Sequence, residues 1–240
     1  MLKIDLHIHT VASLHAQSTI FEYVNRAKEL GMEVIGISEH GPDLESNHAD
    51  YNYFNTILRI PHWINGIRLL RGVEANIIDK DGNIDVTEEM LKKLDYVMAG
   101  FHKNAGYEDS GKKLNTNAMV GAIRSGKIDI ITHPFVTFIF PADVRKISEE
   151  ACKRKILLEI NLSYIRERKL RSDTLENLKT IIKTVKKYKQ KLIVNSDSHN
   201  VWELGDDSSL DKIKKKIGLT DNLIINNYPK ELFKLLNIKM

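Results

Sequence analysis

Residues 4–10 read IDLHIHT. An apolar strand carrying two imidazoles two residues apart poses a problem of desolvation. A buried ring nitrogen without a partner costs free energy, so the rings either find hydrogen bonds or share a cation. Side chains at i and i+2 of a strand point to one face. His7 and His9 therefore point the same way, and Asp5, one step deeper, is expected to orient one of the rings from behind.

The run has company. KIDLHIH (3–9) is the first of seven short, mostly apolar runs. The others are EVIGISEH (33–40), RLLRGVEAN (68–76), DYVMAGFH (95–102), DIITHP (129–134), ILLEINLS (156–163) and KLIVNSDSH (191–199). Buried parallel strands read this way. Helices with start and stop signals lie between them. Thr19 and Glu22 form a capping box and Gly31 closes that helix; Thr87, Glu88 and Glu89 start another. Gly126 follows a helix, and Ser172 and Asp173 open a long one over 173–189. DKDGN (79–83) reads as a tight turn. In the tail, LIINN (223–227) reads as a short extra strand and PKELFKLLNI (229–238) as a closing helix. Alternating strands and helices predict an α/β fold with a parallel sheet, and seven such units predict a closed or nearly closed barrel.

The chain has 240 residues, 42% hydrophobic and 28% charged, enough for one barrel domain over 1–240. Cys152 is the single cysteine, which excludes an intrachain disulfide and a thiolate metal cluster and fits a reducing cytoplasm. The chain enters its first strand at once, so no signal peptide is expected. No run approaches the roughly 18–20 apolar residues of a membrane span, so no membrane partner is expected. Net charge is +4. The lysines concentrate in KTIIKTVKKYKQK (179–191) and DKIKKKIG (211–218), where apolar residues recur at helical spacing. Solvated outer helix faces account for them better than a nucleic-acid patch does.

Polar residues fall at the ends of the runs. His7 and His9 end the first, His40 the second, Glu74 the third, His102 the fourth, His133 the fifth, and Asp197 and His199 the seventh. The sixth ends in Asn161 and Ser163. His15 lies in the loop after the first run, at the same end of the barrel. Active sites of such barrels lie at the carboxyl ends of the strands. One histidine at a strand end is usually an ordinary hydrogen-bonded residue, but seven of the chain's nine gather at one end. That concentration predicts a metal site built from His7, His9, His15, His40, Glu74, His102, His133, Asp197 and His199. His62, beside Trp63, is read as a surface or packing residue in or near a helix, and His48 as a loop residue that could line a substrate pocket.

In order along the chain, DLHIHT, ISEHG, RGVEANI, AGFH, THP, EINLS and NSDSH resemble the PHP superfamily, named for polymerases and histidinol phosphatases. The closest likeness is to stand-alone bacterial phosphatases of the YcdX type. The resemblance implies a distorted (β/α)7 TIM-like barrel with a trinuclear metal centre. It assigns His7, His9, Glu74 and Asp197 to a first metal. A second would be held by Glu74, His102 and His133, and a third by His15, His40 and His199. Histidine-rich ligands without thiolate favour Zn, with Mn or Fe as alternatives. Three divalent ions bring about +6, and the two carboxylate ligands leave about +4, a site that wants an anion such as a phosphate monoester dianion.

These features together predict a metal-dependent phosphatase hydrolysing small phosphomonoesters through a metal-bridging hydroxide. Glu74, Asp197 and His199 are the expected catalytic residues. Asn161, Ser163, Arg166 and His48 are the expected substrate contacts, Arg166 as a bidentate phosphate clamp, although a solvated surface arginine is the plainer reading. Lys103 carries the same ambiguity. Competing readings are a 3′-end nuclease on DNA or RNA, a dedicated histidinol-phosphate phosphatase, and a non-catalytic metal-stabilised scaffold. A homo-oligomer is compatible with the resemblance.

Overall fold

A computed structural model describes residues 1–45, 47–166 and 170–239. Its strands form two sheets. The first has four strands: β1 (Ile4–Asp5), β2 (Val34–Ile37), β3 (Trp63–Ile64) and β4 (Ile67–Arg71), in the order β1-β2-β4-β3. The second runs in sequence order: β5 (Glu74–Asn76), β6 (Met98–Gly100), β7 (Ile130–Ile131), β8 (Leu157–Asn161) and β9 (Ile193–Asn195). All pairings are parallel except β3 with β4. The sheets meet at two single parallel bridges, Ile8 with Ser198 and His40 with Glu74. The expected α/β fold with parallel sheets is present. Its hydrogen-bond ladders divide in two, joined by single bridges, where a closed or nearly closed seven-stranded barrel was expected.

The division falls inside RLLRGVEAN, which the sequence presents as one strand. Gly72 separates β4 from β5 and lies against the buried ring of Tyr96; a Cβ at Gly72 or Gly36 would collide with that ring. The Tyr96 hydroxyl in turn donates to the Leu6 carbonyl (2.6 Å). Residues at the strand starts, among them Ile4, Val34, Met98, Ile130, Leu157 and Ile193, form one apolar cluster with Tyr96. Leu232, Phe233 and Leu236 close it from below.

The helices are α1 (Ile20–Glu29), α2 (Tyr51–Thr56), α3 (Glu88–Leu91), α4 (Gly111–Arg124), α5 (Val144–Arg154), α6 (Ser163–Arg166), α7 (Ser172–Lys187), α8 (Ser208–Ile217) and α9 (Pro229–Leu235). The Thr19–Glu22 capping box forms, and Thr87 caps α3. In α7, Leu175, Leu178, Ile181, Ile182 and Val185 are buried, while Lys183, Lys186 and Lys187 stay in solvent. The lysine runs are thus outer faces. Cys152 is buried in α5, away from the strand ends, and burial pushes its thiol up to about 11.

One local expectation is met only in part. LIINN pairs through one parallel bridge, Ile224 with Leu192, between short 3-10 turns; beyond it the Asn226 side chain takes the place of backbone, accepting from Val194 N (2.9 Å) and donating to Val194 O (2.7 Å) and Ile4 O (2.9 Å). His62 lies near a helix as expected, just after a 3-10 turn over Ile57–Arg59, and is half-buried. It precedes β3 with Nδ1 3.4 Å from Leu69 O and 3.6 Å from Asp95. Among the described residues no helix is long and apolar enough to cross a membrane.

Half-buried Asp129, at the start of β7, accepts from Val97 N (2.9 Å), yet burial pushes its carboxyl up to about 6. The folded state therefore holds this proton more tightly than the unfolded chain does. The penalty for ionising it is absent below about pH 4 and complete above about pH 6. Asp129→Asn, which keeps an acceptor for Val97, is expected to gain roughly 1–2 kcal/mol near pH 7.5 and nothing near pH 4. Urea titrations at the two pH values check this.

Candidate metal centre and active site

The pairing of β1 stops at Asp5. Leu6 N is taken by the Asn195 side chain (3.0 Å), and pairing resumes only at Ile8 with Ser198. This break disturbs the two-residue alternation. Ile4 and Leu6 join the interior cluster, whereas Ile8 packs with Tyr23 and Val24 of α1. Asp5 consequently does not reach an imidazole. Its carboxylate accepts from the backbone N–H groups of His7 (3.3 Å), Ser196 (3.1 Å) and Gly205 (3.2 Å), pinning the loop after β9.

His7 and His9 do point together, with Nε2 atoms 3.1 Å apart and neither ring exposed. The buried carboxylate of Glu74 stands at their centre. Its Oε2 lies 3.2 Å from His7 Nε2, 3.3 Å from His9 Nε2 and 3.0 Å from His40 Nδ1. Its Oε1 lies 3.0 Å from His102 Nε2 and 3.2 Å from His133 Nε2, and accepts from Thr132 Oγ1 (2.9 Å). Asp197 Oδ1 adds contacts of 3.4 Å to His7 Nε2 and 3.3 Å to His9 Nε2. Three sets of donor atoms therefore converge: His7, His9 and Asp197; His9, His40 and Glu74; Glu74, His102 and His133.

His15 and His199 stand beside these sets with ring centroids 4.7 Å apart, and His15 lies 5.3 Å from His40. His40 converges with His9 and Glu74 rather than with those two, because the Glu74 carboxylate draws its Nδ1. Two of the residues are backbone outliers. His133 (φ 34°) and Asp197 (φ 54°) adopt left-handed conformations, which non-glycine residues adopt at a cost.

Electrostatics divides the rings. Burial works against charging His7, but Glu74, Glu159 and Asp197 overcome it and raise its pKa well above the usual value. His9 is pushed up to about 9, burial again being outweighed by Asp197 and Glu74. Burial and then the neighbouring imidazoles hold His15 down at about 4, and burial and His9 lower His199. Burial lowers His40 as well, against the pull of Glu74. Glu74 and Asp197, despite burial, are held below the usual carboxylate range by the histidines.

The donor set fits divalent cations. His40 Nδ1 is buried and makes no hydrogen bond, although it stands 3.0 Å from Glu74 Oε2. Two Nε2 atoms facing each other across 3.1 Å fit a shared cation better than each other.

A family model described as the PHP domain matches residues 5–139. The chain belongs to the PHP family. It is 35% identical over 237 residues to a probable phosphatase from Enterobacter sp. (strain 638), covering 98% of this chain and 94% of the relative. A probable phosphatase from Citrobacter koseri is 36% identical over 238 residues, with the same coverage. In three dimensions the fold is similar to histidinol phosphate phosphatase from Lactococcus lactis, solved with zinc, L-histidinol and phosphate. That likeness has a TM-score of 0.58 at 15% identity, covering 90% of this chain and 94% of that one.

The PHP site opens into a cleft of about 240 Å³. Besides His15, His40, Glu74, His102, His133, Asp197 and His199, it is lined by Ser163 and Tyr164 at the start of α6. Of the four expected substrate contacts, only Ser163 lines it. Asn161 is buried and donates to Asp197 Oδ2 (3.1 Å), so it positions a carboxylate. His48 lies on a loop whose N–H donates to Ala12 O. Lys103 is exposed beside His102. Arg166 donates from Nη1 to Glu203 O and from Nη2 to Ser196 O, 2.9 Å each. Its guanidinium braces the loop that carries Asp197 and His199. Arg166→Ala is therefore expected to cost about 1–2 kcal/mol of stability, read in urea, with KM changed less than about threefold. A phosphate clamp would instead raise KM tenfold or more.

Two residues of this PHP site escaped the sequence reading. Glu159, inside β8, has no exposed surface and contacts His7 Nδ1 at 2.8 Å. Glu39, also buried, accepts from Thr10 and from Ser13, which lies 3.3 Å from His9 Nδ1. Each imidazole of the opening pair thus has a buried glutamate behind it, one directly and one through a hydroxyl. Both residues carried a signal: an ionisable side chain inside an apolar run needs a partner just as the histidines do.

Proposed function

We propose that this PHP protein is a metal-dependent phosphatase that releases phosphate from small phosphomonoesters. One observation carries the reading: ring nitrogens of five histidines lie within 3.3 Å of a single buried carboxylate, Glu74. His7, His9 and Asp197 would hold one ion and Glu74, His102 and His133 another. His40, His15 and His199 would serve a third, Glu74 being shared. The ligand types suit Zn, with Mn or Fe as alternatives. When bound, such ions supply Lewis acidity toward phosphoryl oxygens and make water acidic near neutral pH. We infer further that the two bridges joining the sheets close the strands into a distorted (β/α)7 barrel.

The chain's own groups prepare the cleft. Asn161 fixes Asp197 through Oδ2, leaving Oδ1 toward His7 and His9. His199 Nδ1 is held by the Asp197 carbonyl (3.0 Å), which leaves Nε2 for ligand or substrate. Turnover is assigned to Glu74, Asp197 and His199. The Ser163 hydroxyl, which lines the cleft, would donate to a phosphate oxygen, and the Tyr164 ring, 5.4 Å from that of His133, would form the wall for the alcohol portion. Counting Glu159 with Glu74 and Asp197, three divalent ions would leave about +3, still a site for a phosphate dianion. A cleft of about 240 Å³ favours a small ester over a nucleic-acid strand.

The test is a phosphate-release screen of protein loaded with Zn, Mn or Fe over many phosphomonoesters, histidinol phosphate among them. A 5′-labelled oligonucleotide is run alongside. The expected result is phosphate release without laddering. Laddering with no release from monoesters would move the reading to the nuclease.

A further inference from the structure

We propose that Glu159 is a positioning residue that selects which nitrogen of His7 faces the metal centre and ties the two halves of that centre together. The inference rests on the metal-site reading above.

β8 is a buried strand in which an apolar residue would fill the place of Glu159 without desolvating a charge. The carboxylate instead faces five polar atoms, three of them fixed donors. Oε1 lies 2.8 Å from His7 Nδ1 and accepts from Asn195 Nδ2 (2.9 Å). Oε2 accepts from His133 N (2.8 Å) and Asn161 Nδ2 (3.3 Å) and lies 2.9 Å from Thr132 Oγ1. An ionised carboxylate satisfies all three fixed donors, and a carboxylate only accepts. His7 Nδ1 must therefore carry the hydrogen toward Glu159, and the lone pair that binds metal is on Nε2. That Nε2 is the atom facing His9, Glu74 and Asp197.

The other oxygen works on the opposite side. It holds the backbone N–H of His133, the residue with φ of 34°, whose ring reaches Glu74 Oε1 at 3.2 Å. Through Thr132 it also touches a hydroxyl that donates to the same Glu74 oxygen. One side chain thus sets His7 on the Oε2 side of Glu74 and His133 on the Oε1 side.

Glu159→Gln tests this. Glutamine offers one acceptor oxygen and one amide, so an N–H must face either His7 Nδ1 or the His133 N–H. In the first case the His7 tautomer reverses; in the second the strained backbone loses its acceptor. Circular dichroism checks folding, chelator competition gives the zinc affinity, and long-range 1H–15N spectra of the zinc-loaded protein give the His7 tautomer. We expect a folded variant whose zinc affinity falls at least about tenfold, and a wild type with His7 protonated at Nδ1. A variant that binds zinc within about threefold of wild type, with the same tautomer, would overturn the inference. If Glu159→Gln does not fold, the wild-type spectrum decides: hydrogen on Nδ1 supports the inference, and hydrogen on Nε2 overturns it. A wild type that binds no zinc, manganese or iron brings down the metal-site reading itself, a result distinct from equal binding by both proteins.

Discussion

Glu74→Gln is expected to abolish phosphate release, by about 10³-fold or more in kcat, and to lower the metal content of the purified protein. The size of the effect follows from geometry. Both oxygens of Glu74 are in use, Oε2 toward His7, His9 and His40, and Oε1 toward His102 and His133. Glutamine keeps the shape but turns one oxygen into an N–H donor. Either face it chooses, that donor would repel a cation held between Glu74 and two or three imidazoles. The charge is lost as well, and the surrounding histidines hold the Glu74 carboxyl well below the usual range, so it is ionised at neutral pH. Steady-state kinetics with elemental analysis of the same sample checks the prediction, and circular dichroism separates it from misfolding. Wild-type turnover in a folded Glu74→Gln protein would place the chemistry elsewhere.

Removal of metal should have the second large effect. Exhaustive chelation is expected to abolish turnover, and added Zn, Mn or Fe to restore it. The thermal midpoint of the chelated protein should fall by roughly 5–15 °C, because a ligand that binds only the folded chain stabilises it by mass action. The centre explains why the loss extends beyond activity. Four strand ends, carrying His7, Glu74, His133 and Asp197, meet there, and two of these residues hold left-handed backbones. Bound cations would offset that strain and the crowding of ring nitrogens. Differential scanning fluorimetry before and after chelation provides the measurement. Unchanged activity and midpoint would mean that side chains alone do the work.

Much of this site was legible because its histidines and acids sit where a strand becomes a loop. Any run ending in His or Asp could be assigned to the same end of the molecule without knowing the neighbour order. Glu159 and Glu39 were not found in this way, since they lie inside their runs and the rule attends only to the ends. Arg166 was misplaced for a different reason. Proximity in sequence to Ser163 does not say where a long side chain finds acceptors, and two backbone carbonyls outcompete the cleft. Asp5 was misread because strand alternation assumes an unbroken ladder, and the Asn195 side chain interrupts it at Leu6. The same substitution of side-chain amide for backbone shortened the expected last strand to one bridge at Ile224, beyond which Asn226 bonds to Val194 in both directions. Amide side chains that imitate a ladder leave no mark in hydrophobic periodicity.

The most direct test is the metal content of freshly purified protein, measured on the sample assayed for phosphate release. We expect two or more divalent ions per chain and hydrolysis of phosphomonoesters that rises with metal occupancy. Fewer than two ions per chain, or no turnover with Zn, Mn or Fe supplied, would contradict the account.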